Sequence, residues 1–133
     1  MLRRTLAGLL CGLAMLCAGP GGVLASDVRD WVLYSEEANG DLYFYDRAQV
    51  EEDGALRLVW NGTRYKTSLM GAFSRRSLLE IDCAERTEKT LQSTFFSDEN
   101  WEKPAMGTDR SEKPSKQIEP GSSVDKLSGI VCD

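Results

Sequence analysis

No histidine occurs anywhere in the 133 residues. That removes the Ser–His and Cys–His nucleophile pairs of hydrolases and leaves cysteine and carboxylate as the only strong metal ligands. No glycine-rich phosphate loop follows a strand-like run. Basic charge is also scarce, with 16 Lys and Arg against 21 Asp and Glu. An acidic chain of this kind is repelled by nucleic acid and by anionic lipid surfaces, so a nucleic-acid partner is not expected. No apolar run is long enough to span a bilayer. The longest, Thr5 to Gly19, is about 15 residues where roughly 20 are needed.

That run still has a meaning. Arg3 and Arg4 precede it, Gly19, Pro20, Gly21 and Gly22 break it, and Val23-Leu24-Ala25 offers small or branched residues to a signal peptidase. A basic start, a short apolar stretch and a small-residue exit describe a secretory leader. The expectation is a cleaved signal over residues 1–25, leaving a single domain over 26–133. Cys11 and Cys17 follow the bulky Leu10 and Leu16. They read as apolar filler and not as lipidation sites.

Removal of Arg3 and Arg4 takes the net charge from −5 to −7. A chain of this size buries roughly 65 % of its unfolded surface, which allows a true but thin core. Two cysteines remain, Cys83 and Cys132. In an oxidising compartment an even pair normally closes, and here one pairing exists. Closing a loop of about 50 residues stabilises by about 4 kcal/mol on the chain-entropy account. The alternatives are two free buried thiols or a metal pair, and a metal site would need more ligands in a chain without histidine.

Read for pattern, the rest is mostly β. Trp31-Val32-Leu33-Tyr34 predicts a first strand, Asn39-Gly40 a turn, and Leu42-Tyr43-Phe44-Tyr45 a second strand ending at Asp46. After a turn at Asp53-Gly54, Leu56, Leu58 and Trp60 alternate with Arg57 and Val59 as in a half-buried strand. Asn61-Gly62 then predicts a tight hairpin turn, with Tyr65, Thr67 and Leu69 on the returning strand. Asn61-Gly62-Thr63 also matches a glycosylation acceptor, but the turn accounts for the flanking pattern as well. Gly71 with Arg75-Arg76 is expected to form a connection. Leu79, Ile81 and Cys83 form the inner face of a strand over Ser77 to Cys83, and Glu85 to Phe96 an outer strand paired to it. Ser97 to Glu119, with Pro104, Gly107 and Pro114, reads as a long surface loop anchored by Trp101 and Ile118. Finally Pro120-Gly121-Ser122-Ser123 starts a short helix with a serine cap, Asp125 in its first turn and a stripe of Val124, Leu127 and Val131. A Cys83–Cys132 bond would staple the end of that helix to a strand.

Asp46, Glu80 and Asp82 are the carboxylates nearest to an acid–base arrangement. Nothing else completes a site around them, and Glu80 and Asp82 read as the solvated edge of an amphipathic strand. Tyr34, Tyr43, Tyr45 and Tyr65 with Trp31, Trp60 and Trp101 suit a small β core, with an interface as the functional rival. No catalytic, cofactor or metal residue is assigned.

The order of these elements resembles the surface-adhesin protein E family of bacterial exported proteins. The pieces that carry the resemblance are Trp31, Tyr43-Phe44-Tyr45-Asp46, Leu58-Val59-Trp60, Leu79-Glu80-Ile81-Asp82-Cys83, Trp101, Pro120-Gly121-Ser122 and Ile130-Val131-Cys132. The resemblance implies an α+β fold, mostly antiparallel sheet, with a short C-terminal helix packed on it and tied by the disulfide. It also implies homodimers. Its named member is an outer-membrane adhesin that binds host matrix and plasma proteins, including vitronectin, laminin and plasminogen. That adhesin's lipid-anchoring cysteine has no counterpart here.

The first expectation is therefore a non-enzymatic envelope protein that binds host matrix or plasma proteins, exported to the periplasm or the outer cell surface. The second is a periplasmic structural or accessory protein with no host partner. The third is a small-ligand binder or enzyme with a cleft lined by Tyr43, Tyr45 and Asp46. The residues of a binding site are not legible.

Overall fold

The computed structural model describes residues 28–133. The expected leader, its cleavage after Ala25, and Cys11 and Cys17 lie outside the described residues. Eight strands and one helix follow in order. They are β1 (Trp31–Glu36), β2 (Leu42–Asp46), β3 (Glu51–Asp53), β4 (Leu56–Leu69), β5 (Ala72–Asp82), β6 (Thr87–Phe96), β7 (Ala105–Asp109), β8 (Lys116–Gln117) and α1 (Ser123–Val131). A 3-10 turn, Arg47–Gln49, separates β2 from β3.

The strands form one antiparallel sheet in the order β1-β2-β4-β5-β6-β7, with β3 also on β4 and β8 also on β6. β4 is long enough to serve two partners on one edge. Leu56 to Leu58 pair with β3 and Asn61 to Arg64 with β2. β6 divides itself in the same way between β8 and β7. The resulting sheet is mostly antiparallel β with one short C-terminal helix, as the residue pattern and the resemblance both implied.

α1 lies on one face. Tyr45, Val59, Leu79, Ile81, Ile118, Leu127 and Val131 form the core between helix and sheet. Leu127 is fully buried, which stabilises by about 1.5–3 kcal/mol. Ser122 caps the helix by accepting from Asp125 N at 3.1 Å. The Asp125 carboxylate takes the Gly121 N–H and the Arg86 guanidinium, at 2.8 Å and 2.6 Å. Those contacts tie the helix start to the β5–β6 turn. At the other end Arg57 Nε donates to the Val131 carbonyl at 2.9 Å, and Cys83 is bonded to Cys132 with the Cα atoms 5.6 Å apart. So short a helix is marginal alone. Here it is held at both ends.

Three expectations are corrected. Asn61-Gly62 is not a turn, because β4 runs straight through it. Asn61 is buried and accepts a hydrogen bond from the Tyr34 hydroxyl, which also closes it to glycosylation. At Gly62 a Cβ would stand 2.7 Å from the Trp101 ring and 3.2 Å from the Trp31 ring. The glycine is there to admit an aromatic side chain. The hairpin turns instead at Met70-Gly71, where φ is 53° and 88°, the positive values that a two-residue turn matching strand twist requires. Second, Arg75-Arg76 is not a connection. Both lie inside β5, which begins at Ala72. Third, Ser97 to Glu119 is not all loop, because β7 and β8 add to the edge of β6. The anchors read from the sequence do hold: Ile118 enters the core and Trp101 packs on β4.

Candidate functional site

Among the described residues, the face of the sheet opposite α1 has no helix over it. Period-2 alternation sends Phe44 of β2, Trp60, Gly62 and Arg64 of β4, and Arg76 of β5 to that side. Trp31 of β1 and Phe96 of β6 join them, as do Arg29 before β1 and Trp101 from the segment after β6. Together they form a continuous stack. The Arg64 guanidinium lies 5.0 Å from the Phe44 ring centre and 5.8 Å from that of Trp101. Trp101 packs against Trp31 at 4.8 Å and edge-on to Phe44 at 5.5 Å. Arg29 sits 5.9 Å over Trp31 and 5.3 Å over Trp60. Arg76 sits 5.4 Å from both Trp60 and Phe96. The contacts run without a break from Arg64 to Phe96.

Local hydrogen bonds hold this stack. Trp101 Nε1 donates to the Arg75 carbonyl at 2.9 Å. The turn that carries Trp101 is organised by Asp98, whose carboxylate accepts from the N–H groups of Asn100, Glu102 and Lys103. Against some desolvation, those N–H groups hold the Asp98 carboxyl below its ordinary range. Arg64 donates to the Glu99 carbonyl and to Asn100 Oδ1, at 3.1 Å and 2.8 Å.

The stack does two things. Its rings and arginine stems cover a sheet face that no second layer protects. Its guanidinium groups also put three positive charges on one side of an acidic chain. Arg29 has a carboxylate, Asp46, at 3.4 Å. Arg76 has none among the described residues, and its buried Nε has no hydrogen-bond partner. Burial, then the nearby Arg29 charge, push the Arg76 guanidinium below its ordinary value. An incoming carboxylate would relieve both. Trp, Tyr and Arg are the residue types that dominate binding hot spots, and each cation–π contact contributes about 0.5–1 kcal/mol at an exposed site.

The residues weighed from the sequence fall elsewhere. Fully buried Asp46 accepts from the N–H groups of Asp30 and Ala48, at 2.9 Å and 3.1 Å, and caps the 3-10 turn. Tyr45 belongs to the core under the helix. It is adjacent to Asp46 in an extended strand, so the two point to opposite faces and no cleft of Tyr43, Tyr45 and Asp46 forms. Glu80 lies 3.8 Å from Lys89, and the Asp82 carboxylate accepts from the N–H groups of Ala84 and Glu85. Neither makes an acid–base pair. Trp31, Trp60 and Trp101 come together in the stack. The arginines between them were not legible as a group, because Arg29, Arg64 and Arg76 are far apart in the chain. The one available signal was Trp60-Asn61-Gly62-Thr63-Arg64, where ring, glycine and cation share a face once the run is read as strand.

At the far end of the sheet Leu69, Met70 and Met106 line an open apolar groove of about 350 Å³. It carries no charge that would define a partner. No helix of the described residues is long and apolar enough to cross a membrane.

Comparison with known proteins bears on the fold and the family. The sequence pattern of the family described as surface-adhesin protein E matches residues 31–133. The structure is similar to that of protein E from Haemophilus influenzae, with a TM-score of 0.64 at 14% identity over 87% of this chain and 90% of the other. A second crystal form of that protein gives 0.62 at 15% identity over 90% and 96%. At these identities the structures establish a shared fold. No curated protein sequence matches the chain. Since the family pattern spans every strand and the helix, the chain belongs to the surface-adhesin protein E family.

Proposed function

We propose that this protein is a non-enzymatic bacterial envelope adhesin that binds host matrix or plasma proteins through its aromatic–arginine face. The whole chain would be a cleaved leader, residues 1–25, and one binding domain, residues 26–133. The observation that carries the reading is Arg76, a half-buried guanidinium between Trp60 and Phe96 with no carboxylate of its own. Such a cation favours a partner that brings an acidic group to the face, and the flanking rings add contact area around it. Family membership supports an exported, adhesin-like surface protein.

The test is binding of the mature protein to immobilised vitronectin, laminin and plasminogen, with Arg76→Glu and Arg64→Glu beside wild type. Binding that falls about tenfold or more on charge reversal supports the reading, given about 1.5–3 kcal/mol for a charge-assisted hydrogen bond. Equal binding by the variants would remove this face from the function. Failure of wild type with all three proteins would favour a periplasmic accessory role, which protease treatment of intact cells would then confirm by sparing the protein.

A further inference from the structure

The helix side of the sheet holds a second unfilled feature, away from the stack. Strand register sets Tyr43, Thr63, Arg75 and Phe95 side by side across β2, β4, β5 and β6. Tyr65 follows Thr63 on the same face of β4. A cavity of about 240 Å³ opens over this region, with Tyr43, Asn61, Arg75 and Ser77 in its wall and Glu88 and Lys116 at its other end.

Three buried polar atoms on these adjoining strands have no hydrogen-bond partner among the described residues, and of their residues Arg75 lines the cavity. They are Thr63 Oγ1, Tyr65 OH and Arg75 Nε. More than nine in ten buried polar groups are normally satisfied, so three orphans along adjoining strands mark a place where something else supplies the acceptor. Arg75 also has no carboxylate within ion-pairing reach among the described residues. At the other end, burial pushes the Glu88 carboxyl up and Lys116 pulls it back. The nearby Glu119 charge adds to the rise, so that end carries its own carboxylates, and the positive charge left for a ligand is that of Arg75.

The neighbouring hydroxyls are donors at physiological pH. Burial raises Tyr43 and Tyr65 above the ordinary phenol range, and the Arg75 charge opposes that rise in both. A positive charge among protonated hydroxyls is an arrangement for an oxyanion.

We infer that this cavity binds a small oxyanion-bearing ligand, a carboxylate or a phosphate, with Arg75 as its counter-charge and the Tyr43 hydroxyl, in the same wall, as a further donor. The site lies on the opposite face from the aromatic–arginine stack and does not depend on adhesion. A single charge-assisted hydrogen bond contributes about 1.5–3 kcal/mol. Loss of Arg75 should therefore weaken binding by about tenfold or more.

The experiment is an NMR titration of the mature protein with sodium phosphate and, separately, sodium succinate, at constant ionic strength. The expected result is saturable shifts of the Arg75 Nε–H and of the Tyr43, Asn61 and Ser77 amides, all in the cavity wall, with at least one of the two anions. The anion that produces them identifies the ligand class. Arg75→Met should weaken that response about tenfold or more, and Tyr43→Phe should weaken it while leaving the ring packed. Arg76→Met, on the other face, should leave it unchanged. If neither anion gives a saturable response at these residues, the orphan atoms are met by water alone and the inference fails. It fails equally if Arg75→Met and Tyr43→Phe both bind as tightly as wild type.

Discussion

Gly62→Ala adds one methyl group at a residue that local sequence rules would place in a turn. The new Cβ would lie 2.7 Å from one carbon of the Trp101 ring, 3.0 Å from a second and 3.2 Å from Trp31. Real side chains do not approach so closely, so the Trp101 ring must move. Overpacking of this kind costs about 1–3 kcal/mol. Moving the ring also strains the Trp101 Nε1 bond to the Arg75 carbonyl and its contacts with Trp31 and Phe44. Gly62 lies in extended backbone, where alanine would otherwise stabilise by about 0.4–1 kcal/mol through the unfolded chain. The net expectation is a loss of about 1–2 kcal/mol, or roughly 5–10 °C in Tm for a domain of this size. Urea denaturation followed by tryptophan fluorescence measures both the stability and the environment of Trp101. A double-mutant cycle sharpens the test: in a Trp101→Ala background the same glycine substitution should be neutral or stabilising. If Gly62→Ala stabilises the wild-type protein and leaves its tryptophan emission unchanged, the account of Gly62 as a seat for Trp101 is wrong.

Two further perturbations test the helix and its fastenings. Cys132→Ser, or reduction of the wild type, should destabilise by about 4 kcal/mol on the chain-entropy account, because the Cys83–Cys132 bond spans a separation of 49 residues. An unchanged unfolding midpoint under reductant would refute that role. The Asp125 carboxyl is held below its ordinary range by the Gly121 N–H, then by Arg86. A depressed carboxylate stabilises the fold above its unfolded value, near 4, and that contribution is lost as pH falls through the lower folded value. Asp125→Asn should therefore narrow the stability difference between neutral and acid pH. An unaltered pH profile would show that Asp125 does not anchor the helix.

Much of the fold was legible because its signals are local. Ser122, Asp125 and the Val124, Leu127 and Val131 stripe describe a capped helix within nine or ten positions, and the helix forms there with Ser122 as its cap. Leu79 and Ile81 alternate with Glu80 and Asp82, and the strand buries the first pair. Cys83 and Cys132 are the two cysteines of the expected mature segment, and the structure joins them. Asn61-Gly62 misled for a physical reason. A turn preference of a kcal/mol or so is a weak prior, and burying Trp101 on Gly62 while pairing Asn61 with Tyr34 outweighs it. β7 and β8 were invisible because short, fully exposed edge strands carry no alternation. Their place is set by pairing to β6, which a local pattern does not encode.

The chain by itself thus determined what depends on neighbours along the backbone. It set the strand and helix periods, the helix cap, the cysteine pair, the acidic charge and the absence of histidine chemistry. Only the tertiary structure decided where the long strand turns, which glycine makes room for a ring, and which arginines share a face. Arg29 before β1, Arg64 of β4 and Arg76 of β5 are joined through the rings of one stack, and Thr63 and Arg75 pair side by side on the reverse face. Contacts between residues distant in sequence are set by packing and pairing of the whole sheet, and no local pattern encodes them.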